Sequence, residues 1–130
     1  MTDSNSGAVS KIICLDSSAW LAYYFAENNE VKEIVDGSVL VMTSSLCLFE
    51  VKKRLLILKK DFKVLLDFIK QRGEIVFPDV VIVERAAEFA VEKKLGAMDA
   101  LIYATSVGCR AKLISGDNDF RGLEGVRIIS

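Results

Sequence analysis

The sequence contains no histidine, and this absence removes the commonest hydrolytic mechanisms. A Ser-His-Asp triad and a Cys-His pair both need an imidazole, so neither is available to this chain. Any catalysis must therefore use carboxylates, lysine, tyrosine or a metal-bound water. A zinc site is disfavoured as well, because the chain has no Cys-x-x-Cys pair to stand in for the missing histidines.

Other features of the composition further restrict the kinds of protein that this chain could be. No run of about 18 uncharged apolar residues is present, so no membrane span is predicted. The formal net charge is −1, from 17 basic and 18 acidic side chains, and the total therefore says little about partners. The cysteines are odd in number and lie in apolar stretches, which favours buried free thiols in a reducing compartment. They are Cys14, Cys47 and Cys109.

The two ends of the chain differ in character. Residues 1–10 are small and polar, and they lack the basic-then-apolar order of a signal peptide. We expect them to form a flexible tail, and we expect the protein to be cytoplasmic. Residues 11–130 should form a single domain, because the chain has 130 residues and 52% of them are hydrophobic, enough for a core of this size.

Short continuous apolar runs recur along the chain and predict the strands. They fall at residues 12–15, 39–42, 75–77, 112–114 and 126–129. Runs that are apolar on both faces are typical of strands covered on both sides. Helical spacing separates them, so the fold class is predicted to be α/β. We expect a three-layer sandwich in which helices flank a central parallel sheet of about five strands.

Several helices can be placed from their apolar stripes. One stripe is Phe62, Leu65, Leu66 and Ile69, and the helix before it carries Leu48, Val51, Leu55 and Leu58. A third helix is predicted over residues 79–94, starting after Pro78 and ending at Gly96. Its apolar side comprises Val80, Val83, Ala87, Ala90 and Val91. A further helix should run from near Met98 to about Gly108.

Five acidic residues lie at positions that the predicted sheet would bring close together. Asp16 directly follows the first predicted strand, and Asp117 and Asp119 come just after the fourth. Glu50 lies in the helix after the second strand, and Asp99 lies in the first turn of the helix before the fourth. Ligands of open α/β sheets bind at the carboxyl ends of the strands, so these acids are candidates for one site.

Each acid also has a local explanation. Asp16 and Asp99 can cap helices or lie favourably at the positive end of the helix dipole. Asp117 and Asp119 suit a tight turn. Glu50 is hardest to explain in this way, because its neighbours read as buried, and only an ion pair with Lys53 or Arg54 would give it a local partner.

Carboxylates that gather in a chain without histidine point to hard divalent cations. Mg²⁺ and Mn²⁺ prefer oxygen ligands and retain several waters. Such ions lower the pKa of a bound water and neutralise charge on a phosphate. The pattern therefore favours metal-dependent hydrolysis of a phosphodiester.

Four stretches, in order, resemble the PIN-domain family, in particular the VapC toxins of VapBC toxin–antitoxin pairs. They are Ile-Ile-Cys-Leu-Asp-Ser-Ser at 12–18, Ser-Ser-Leu-Cys-Leu-Phe-Glu-Val at 44–51, the segment 94–105 around Asp99, and Leu-Ile-Ser-Gly-Asp-Asn-Asp-Phe at 113–120. The resemblance covers about residues 11–130. No single motif is specific, but the ordered set is.

The resemblance implies an endoribonuclease that uses Mg²⁺ or Mn²⁺. It further implies a VapB-like antitoxin as partner and a homodimer. Carried over position by position, it implies a catalytic and metal-binding quartet, with Asp119 as an additional, supporting metal ligand. That quartet is Asp16, Glu50, Asp99 and Asp117. Ser17 and Ser115 match polar positions that hydrogen-bond the carboxylates or a metal-bound water.

A basic segment could meet the RNA. Residues 51–72 hold eight basic and two acidic side chains, and the candidate RNA contacts are Lys52, Lys53 and Arg54. The alternative is a solvated helix face. Trp20, Tyr23 and Tyr24 share one helix face, which could stack on bases or, more commonly, pack against a core or a partner.

Other functions stay open at this point. The chain could be a catalytically inactive or regulatory PIN-like binding module, or an RNA-processing nuclease outside a toxin–antitoxin system. An aspartyl-phosphate enzyme is the weaker choice. Ser17-Ser18-Ala19 follows Asp16, and the second acid that such enzymes carry two residues on is missing.

Overall fold

Five parallel strands form one sheet. In this computed structural model, which describes residues 12–129, the strands are β1 (Ile12–Leu15), β2 (Leu40–Ser44), β3 (Glu74–Val76), β4 (Lys112–Ser115) and β5 (Val126–Ile128). Their order across the sheet is β3-β2-β1-β4-β5. The predicted tail of residues 1–10 lies outside the described residues. All five predicted strands are present, with ends that shift by one or two residues.

Helices connect the strands and cover both faces of the sheet. They are α1 (Ser17–Tyr24), α2 (Asn29–Asp36), α3 (Ser45–Ile57), α4 (Lys63–Arg72), α5 (Val80–Glu92) and α6 (Ala97–Gly108), and a 3₁₀ turn spans Asn118–Phe120. No helix between residues 12 and 129 has the length and apolar character that crossing a membrane requires.

Two apolar cores, one on each face, explain why the strands read as continuous hydrophobic runs. Neighbouring residues of a strand point to opposite faces. Leu15 and Ile114 therefore pack into one core with Trp20, while Cys14 and Leu113 pack into the other with Phe89. The predicted three-layer α/β sandwich with a central parallel sheet is confirmed.

The predicted apolar side of α5 is wrong at most of its positions, although Ala90 does pack against the core. Val80, Val83 and Val91 are 72%, 48% and 81% exposed, whereas Ala86 and Phe89 are buried. The helix carries apolar residues around most of its circumference, so spacing alone fits two faces. The Phe89 ring decides between them, because it packs edge-on against Tyr103 of α6 at 4.8 Å between ring centroids.

The end of α5 also differs from the prediction. The helix stops at Glu92, and the chain reverses at Lys94, whose φ is +57°. Gly96 is in extended backbone (φ −65°, ψ 165°) and is the N-cap of α6. Gly96 therefore starts α6. Lys94, in the left-handed region, makes the turn that the sequence prediction placed at Gly96.

Trp20 belongs to the core and cannot stack on bases. Its side chain is fully buried, and its indole N–H donates to the Thr43 hydroxyl at 3.2 Å. Tyr23 stacks on Phe68, with 5.6 Å between ring centroids. Tyr24 is 37% exposed. The three cysteines are free thiols, buried at Cys14 and Cys47 and half-buried at Cys109.

Candidate active site

Asp16 lies where β1 ends and α1 begins, and it is almost fully buried. It caps the helix, since its Oδ1 accepts the Ala19 backbone N–H at 2.9 Å. The same oxygen accepts the Ser18 hydroxyl at 2.7 Å, and Oδ2 accepts the Ser115 hydroxyl. Helix capping and a place in the carboxylate site are therefore compatible, because the cap fixes the side chain at the carboxyl edge of the sheet.

Three acids meet at this edge. Asp99, Asp117 and Asp119 each offer one carboxylate oxygen, and these oxygens all lie within 4.8 Å of one another. Asp117 caps the 3₁₀ turn by accepting the Asp119 backbone N–H at 2.9 Å, which brings the two side chains together. Asp119, given a supporting role from the sequence, thus lies in the tightest group of the site.

Asp99 is not the cap of its helix. The N-cap of α6 is Gly96, and Asp99 lies in the first turn. No side chain among residues 12–129 donates a hydrogen bond to the Asp99 carboxylate. Its position therefore serves the acidic cluster rather than the end of the helix, apart from a favourable interaction with the helix dipole.

Glu50 reaches the site from the second turn of α3. Its Oε1 accepts the Ser17 hydroxyl at 2.8 Å, and within the described part of the chain it pairs with neither Lys53 nor Arg54. The ion pair that would have explained Glu50 locally is therefore absent there. The expectation that its neighbours are all buried fails at Phe49, which is 58% exposed.

Mutual repulsion and burial disturb the ionisation of these acids. Burial raises the pKa of Asp16 to about 6, against the hydrogen bonds from Ser115, Ser18 and the Ala19 N–H, and the charge of Glu50 adds to the rise. The pKa of Asp99 is also raised to about 6, by burial first and then by four neighbouring carboxylates. Those neighbours are Asp117, Glu50, Asp119 and Asp16.

No lysine or arginine within residues 12–129 forms an ion pair with any of the five carboxylates. Such an uncompensated group of oxygen donors is the set that a hard divalent cation prefers. The residues therefore fit Mg²⁺ or Mn²⁺, and Asp99, Asp117 and Asp119 could hold the ion, with Asp16 and Glu50 beside them.

Sequence reasoning missed Ser18. Its hydroxyl donates to Asp16 and accepts the Gly116 backbone N–H at 2.8 Å, so it joins the ends of β1 and β4. It also lies 3.4 Å from the Ser115 hydroxyl. The only available signal was the second serine of Asp-Ser-Ser. The two serines that were predicted, Ser17 and Ser115, hydrogen-bond Glu50 and Asp16 respectively.

Only part of the basic segment borders the acidic site. Lys53 and Arg54 line a cleft of about 520 Å³ together with Glu50 and Ser17. Lys52 instead lies over the Phe62 ring, with its Nζ 4.5 Å from the centroid. The cations of α4 are engaged elsewhere: Arg72 donates to backbone carbonyls, and Lys63 and Lys70 pair with Asp67.

The parallel sheet flanked by helices, with carboxylates clustered at its carboxyl edge, defines an α/β protein with an acidic candidate site. The family model of the PIN domain matches residues 13–126. The chain belongs to the PIN-domain family. A comparison with curated proteins gives no match.

Solved structures of toxins and toxin–antitoxin complexes share the fold. VapBC2 from Rickettsia felis, solved on promoter DNA, superposes with a TM-score of 0.75 at 18% identity, covering 92% of this chain and 99% of that one. A toxin–antitoxin complex from Klebsiella pneumoniae gives 0.72 at 24%, covering 88% and 95%. Mycobacterium tuberculosis VapC20, described as a sarcin-ricin-loop-cleaving toxin, gives 0.72 at 22%, covering 91% and 99%. Family membership and these neighbours support a nuclease.

Proposed function

We propose that the protein is a metal-dependent endoribonuclease and the toxin of a VapBC-type toxin–antitoxin pair. The observation that carries this proposal is the uncompensated carboxylate group at the carboxyl edge of the sheet. The proposed catalytic residues are Asp16, Glu50, Asp99 and Asp117. They also serve as metal ligands in this proposal, and Asp119 supports them.

Each residue has a distinct task in the proposed reaction. When bound, Mg²⁺ or Mn²⁺ would supply an activated water and would neutralise charge on the scissile phosphate, in a chain that has no histidine for this purpose. Asp99, Asp117 and Asp119 would hold the ion, because each offers one oxygen to the same small region. The Ser17 hydroxyl orients Glu50, and the Ser115 hydroxyl orients Asp16. Lys53 and Arg54 border the same cleft and are the proposed phosphate contacts, and Lys52 is a third proposed contact that lines a separate cleft together with Lys53.

The proposed partners are a VapB-like antitoxin and a second copy of the chain. Two of the similar structures are toxin–antitoxin assemblies, which supports an antitoxin.

Exposed apolar side chains on α5, together with Phe77 just before it, support a contact with another protein chain, because exposed apolar patches mark such surfaces. They are Phe77, Val80, Val81 and Val91. Sedimentation of wild type and Val81→Glu tests the homodimer, which should dissociate in the variant. The proposed location is the cytoplasm.

A ribonuclease assay tests the central proposal. Purified protein should cleave single-stranded RNA with Mn²⁺ or Mg²⁺ and lose the activity in chelator. Asp99→Asn should lose it as well, whereas Glu92→Gln should not, because Glu92 is an exposed acid at the end of α5. Equal activity in chelator, or an active Asp99→Asn variant, would exclude a metal nuclease built on these acids.

Two alternatives give different results in the same assay. An inactive or regulatory binding module would bind Mn²⁺ or RNA without cleaving it. An RNA-processing nuclease outside a toxin–antitoxin system would cleave, but its expression would not arrest growth. Inducing wild type and Asp99→Asn in cells separates this case, since a toxin arrests growth only when it is catalytically intact.

A further inference from the structure

We infer that the RNA strand leaves the proposed active site along a groove between α1 and α3. Phe49 would be the platform for a base, and Arg54 and Lys60 would contact successive phosphates. The inference rests on the proposed function, which supplies the RNA and the position of the reacting phosphate. It adds a path for the strand and two residues, Phe49 and Lys60, to the proposed contacts.

Two adjoining clefts make the groove continuous. The first, of about 520 Å³, contains Glu50, Phe49 and Lys53. The second, of about 430 Å³, extends past the end of α3 to Lys60. Ser18, Leu21 and Arg54 line both clefts. Since Arg54 stands at the junction, a strand that passes from Glu50 to Lys60 must pass it.

The charges of the groove suit a polyanion. No ion pair neutralises Lys53, Arg54 or Lys60 within the described residues, and Lys60 only approaches the Phe25 ring, at 6.0 Å. On α4, by contrast, Lys63 and Lys70 are paired with Asp67. The acids of the groove are Glu50, at the proposed active site, and Glu27, so three cations face two carboxylates. Unpaired cations along a groove are the electrostatic signature of a phosphate backbone.

Phe49 gives the groove its aromatic surface. The residue is next to Glu50 in sequence, is 58% exposed and lines the same cleft, with Ile57 and Met98 as apolar neighbours. An exposed aromatic ring beside phosphate-binding cations is how single-stranded nucleic acid is held without base pairing, because every base offers a face for stacking. The combination favours RNA over a peptide, for which the unpaired cations would have no use unless the peptide were acidic.

Salt dependence of RNA binding tests the phosphate contacts. A short, labelled, single-stranded oligoribonucleotide of mixed sequence is titrated in chelator at several KCl concentrations, with anisotropy as the readout. The slope of log K against log salt should flatten by about 0.7 per lost contact, so by about 1.4 in Arg54→Gln/Lys60→Gln. Lys63→Gln/Lys70→Gln removes the same charge on α4 and should keep the wild-type slope.

Substitution of Phe49 tests the base platform. Phe49→Leu keeps the apolar volume but loses the ring, and it should weaken binding roughly 5- to 150-fold. Phe49→Tyr keeps the ring and should bind like wild type. Circular dichroism of each variant checks that the fold is retained.

The outcomes separate this inference from the proposed function. If the groove pair flattens the slope no more than the control pair, or if Phe49→Leu binds like wild type, the groove is not the RNA path and is left as a surface for a protein partner. Metal-dependent cleavage by wild type would still support the nuclease in that case. Conversely, the predicted binding changes without any metal-dependent cleavage would overturn the nuclease and leave an RNA-binding groove.

Discussion

The Ser18 hydroxyl donates to Oδ1 of Asp16 at 2.7 Å, and its oxygen accepts the Gly116 backbone N–H at 2.8 Å. One small side chain therefore joins the ends of β1 and β4, the two strands that are followed by the proposed catalytic residues Asp16 and Asp117. Gly116 immediately precedes Asp117, so the contact also fixes the loop that brings Asp117 and Asp119 to Asp99. The geometry of the acidic group depends on an interaction between segments 98 residues apart.

Removing this hydroxyl should weaken metal binding. Ser18→Ala leaves the Asp16 carboxylate with fewer donors and frees the Gly116 loop, and hydrogen bonds to charged groups contribute about 1.5–3 kcal/mol. We expect Mn²⁺ affinity, measured by calorimetry, to fall about 10-fold or more. Ser38→Ala, an exposed serine before β2, should bind Mn²⁺ like wild type. Unchanged affinity in Ser18→Ala would mean that the loop holds its position without this contact.

The pH dependence of metal binding follows from the raised pKa values. Asp16 and Asp99 have a pKa of about 6 without metal, so a proton competes with the cation below that pH. Mn²⁺ affinity should rise as the pH is raised through 6 and level off above it. Activity in limiting metal should follow the same curve, and excess metal should move its midpoint to lower pH. A profile that is flat across pH 6 would argue against these carboxylates as ligands.

The same shifts predict a cost in stability for the metal-free protein. Both pKa values are higher in the folded protein than the ordinary 3.8, so the folded state holds more protons. The contribution of these two groups to the stability of the fold is therefore greatest below pH 3.8. That contribution is lost as the pH rises through about 6. At neutral pH the clustered charges oppose folding until a cation binds.

Asp99→Asn should therefore stabilise the metal-free protein at neutral pH. The side chain is half-exposed and solvent screens part of the repulsion, so we expect a gain of about 1 kcal/mol, or roughly 2–6 °C in Tm. Added Mn²⁺ should raise the Tm of wild type but not that of the variant. Thermal unfolding in chelator and in Mn²⁺ checks this, with Glu92→Gln as the control. A destabilised Asp99→Asn would show that the carboxylate contributes to folding rather than to binding.

Features that depend on local sequence patterns could be predicted from the sequence, whereas features that depend on contacts between distant elements could not. The strands were predictable because β1 and β4 are buried on both faces, which leaves continuous apolar runs. The gathering of Asp16, Asp117 and Asp119 was predictable because parallel topology brings the strand ends to one edge, an argument that does not extend to Glu50 and Asp99 on helices. The buried face of α5 was not, since its choice depends on the contact of Phe89 with Tyr103, which lies on another helix.

Contacts between side chains and residues distant in sequence could not be predicted either. Nothing in the local pattern distinguishes Ser18, which contacts Gly116, from the neighbouring Ser17, which contacts Glu50. The run of basic residues at 51–72 likewise reads as one patch. Only tertiary structure separates Arg54, which lines the cleft, from Arg72, which is engaged by the backbone.

Arg72 should contribute to stability and not to RNA binding. Its guanidinium donates to four carbonyls around the end of α2 and the start of β2, namely those of Val35, Ile34, Gly37 and Val39. Arg72→Lys keeps the charge but loses the planar, branched donor, so we expect a loss of about 1–3 kcal/mol in the free energy of unfolding. Urea titration measures this loss, and Lys70→Gln on the same helix should stay within about 0.5 kcal/mol of wild type.

Measurement of RNA binding shows whether Arg72 contributes only to stability or also contacts the RNA. Because its donors are already committed to carbonyls, Arg72→Gln should leave the salt slope of RNA binding unchanged wherever the variant is folded, while Arg54→Gln lowers it by about 0.7. A lowered slope in Arg72→Gln would place this side chain on the phosphate backbone. The basic residues of α4 would then belong to the RNA surface after all, and the path along α1 and α3 would have to widen to include them.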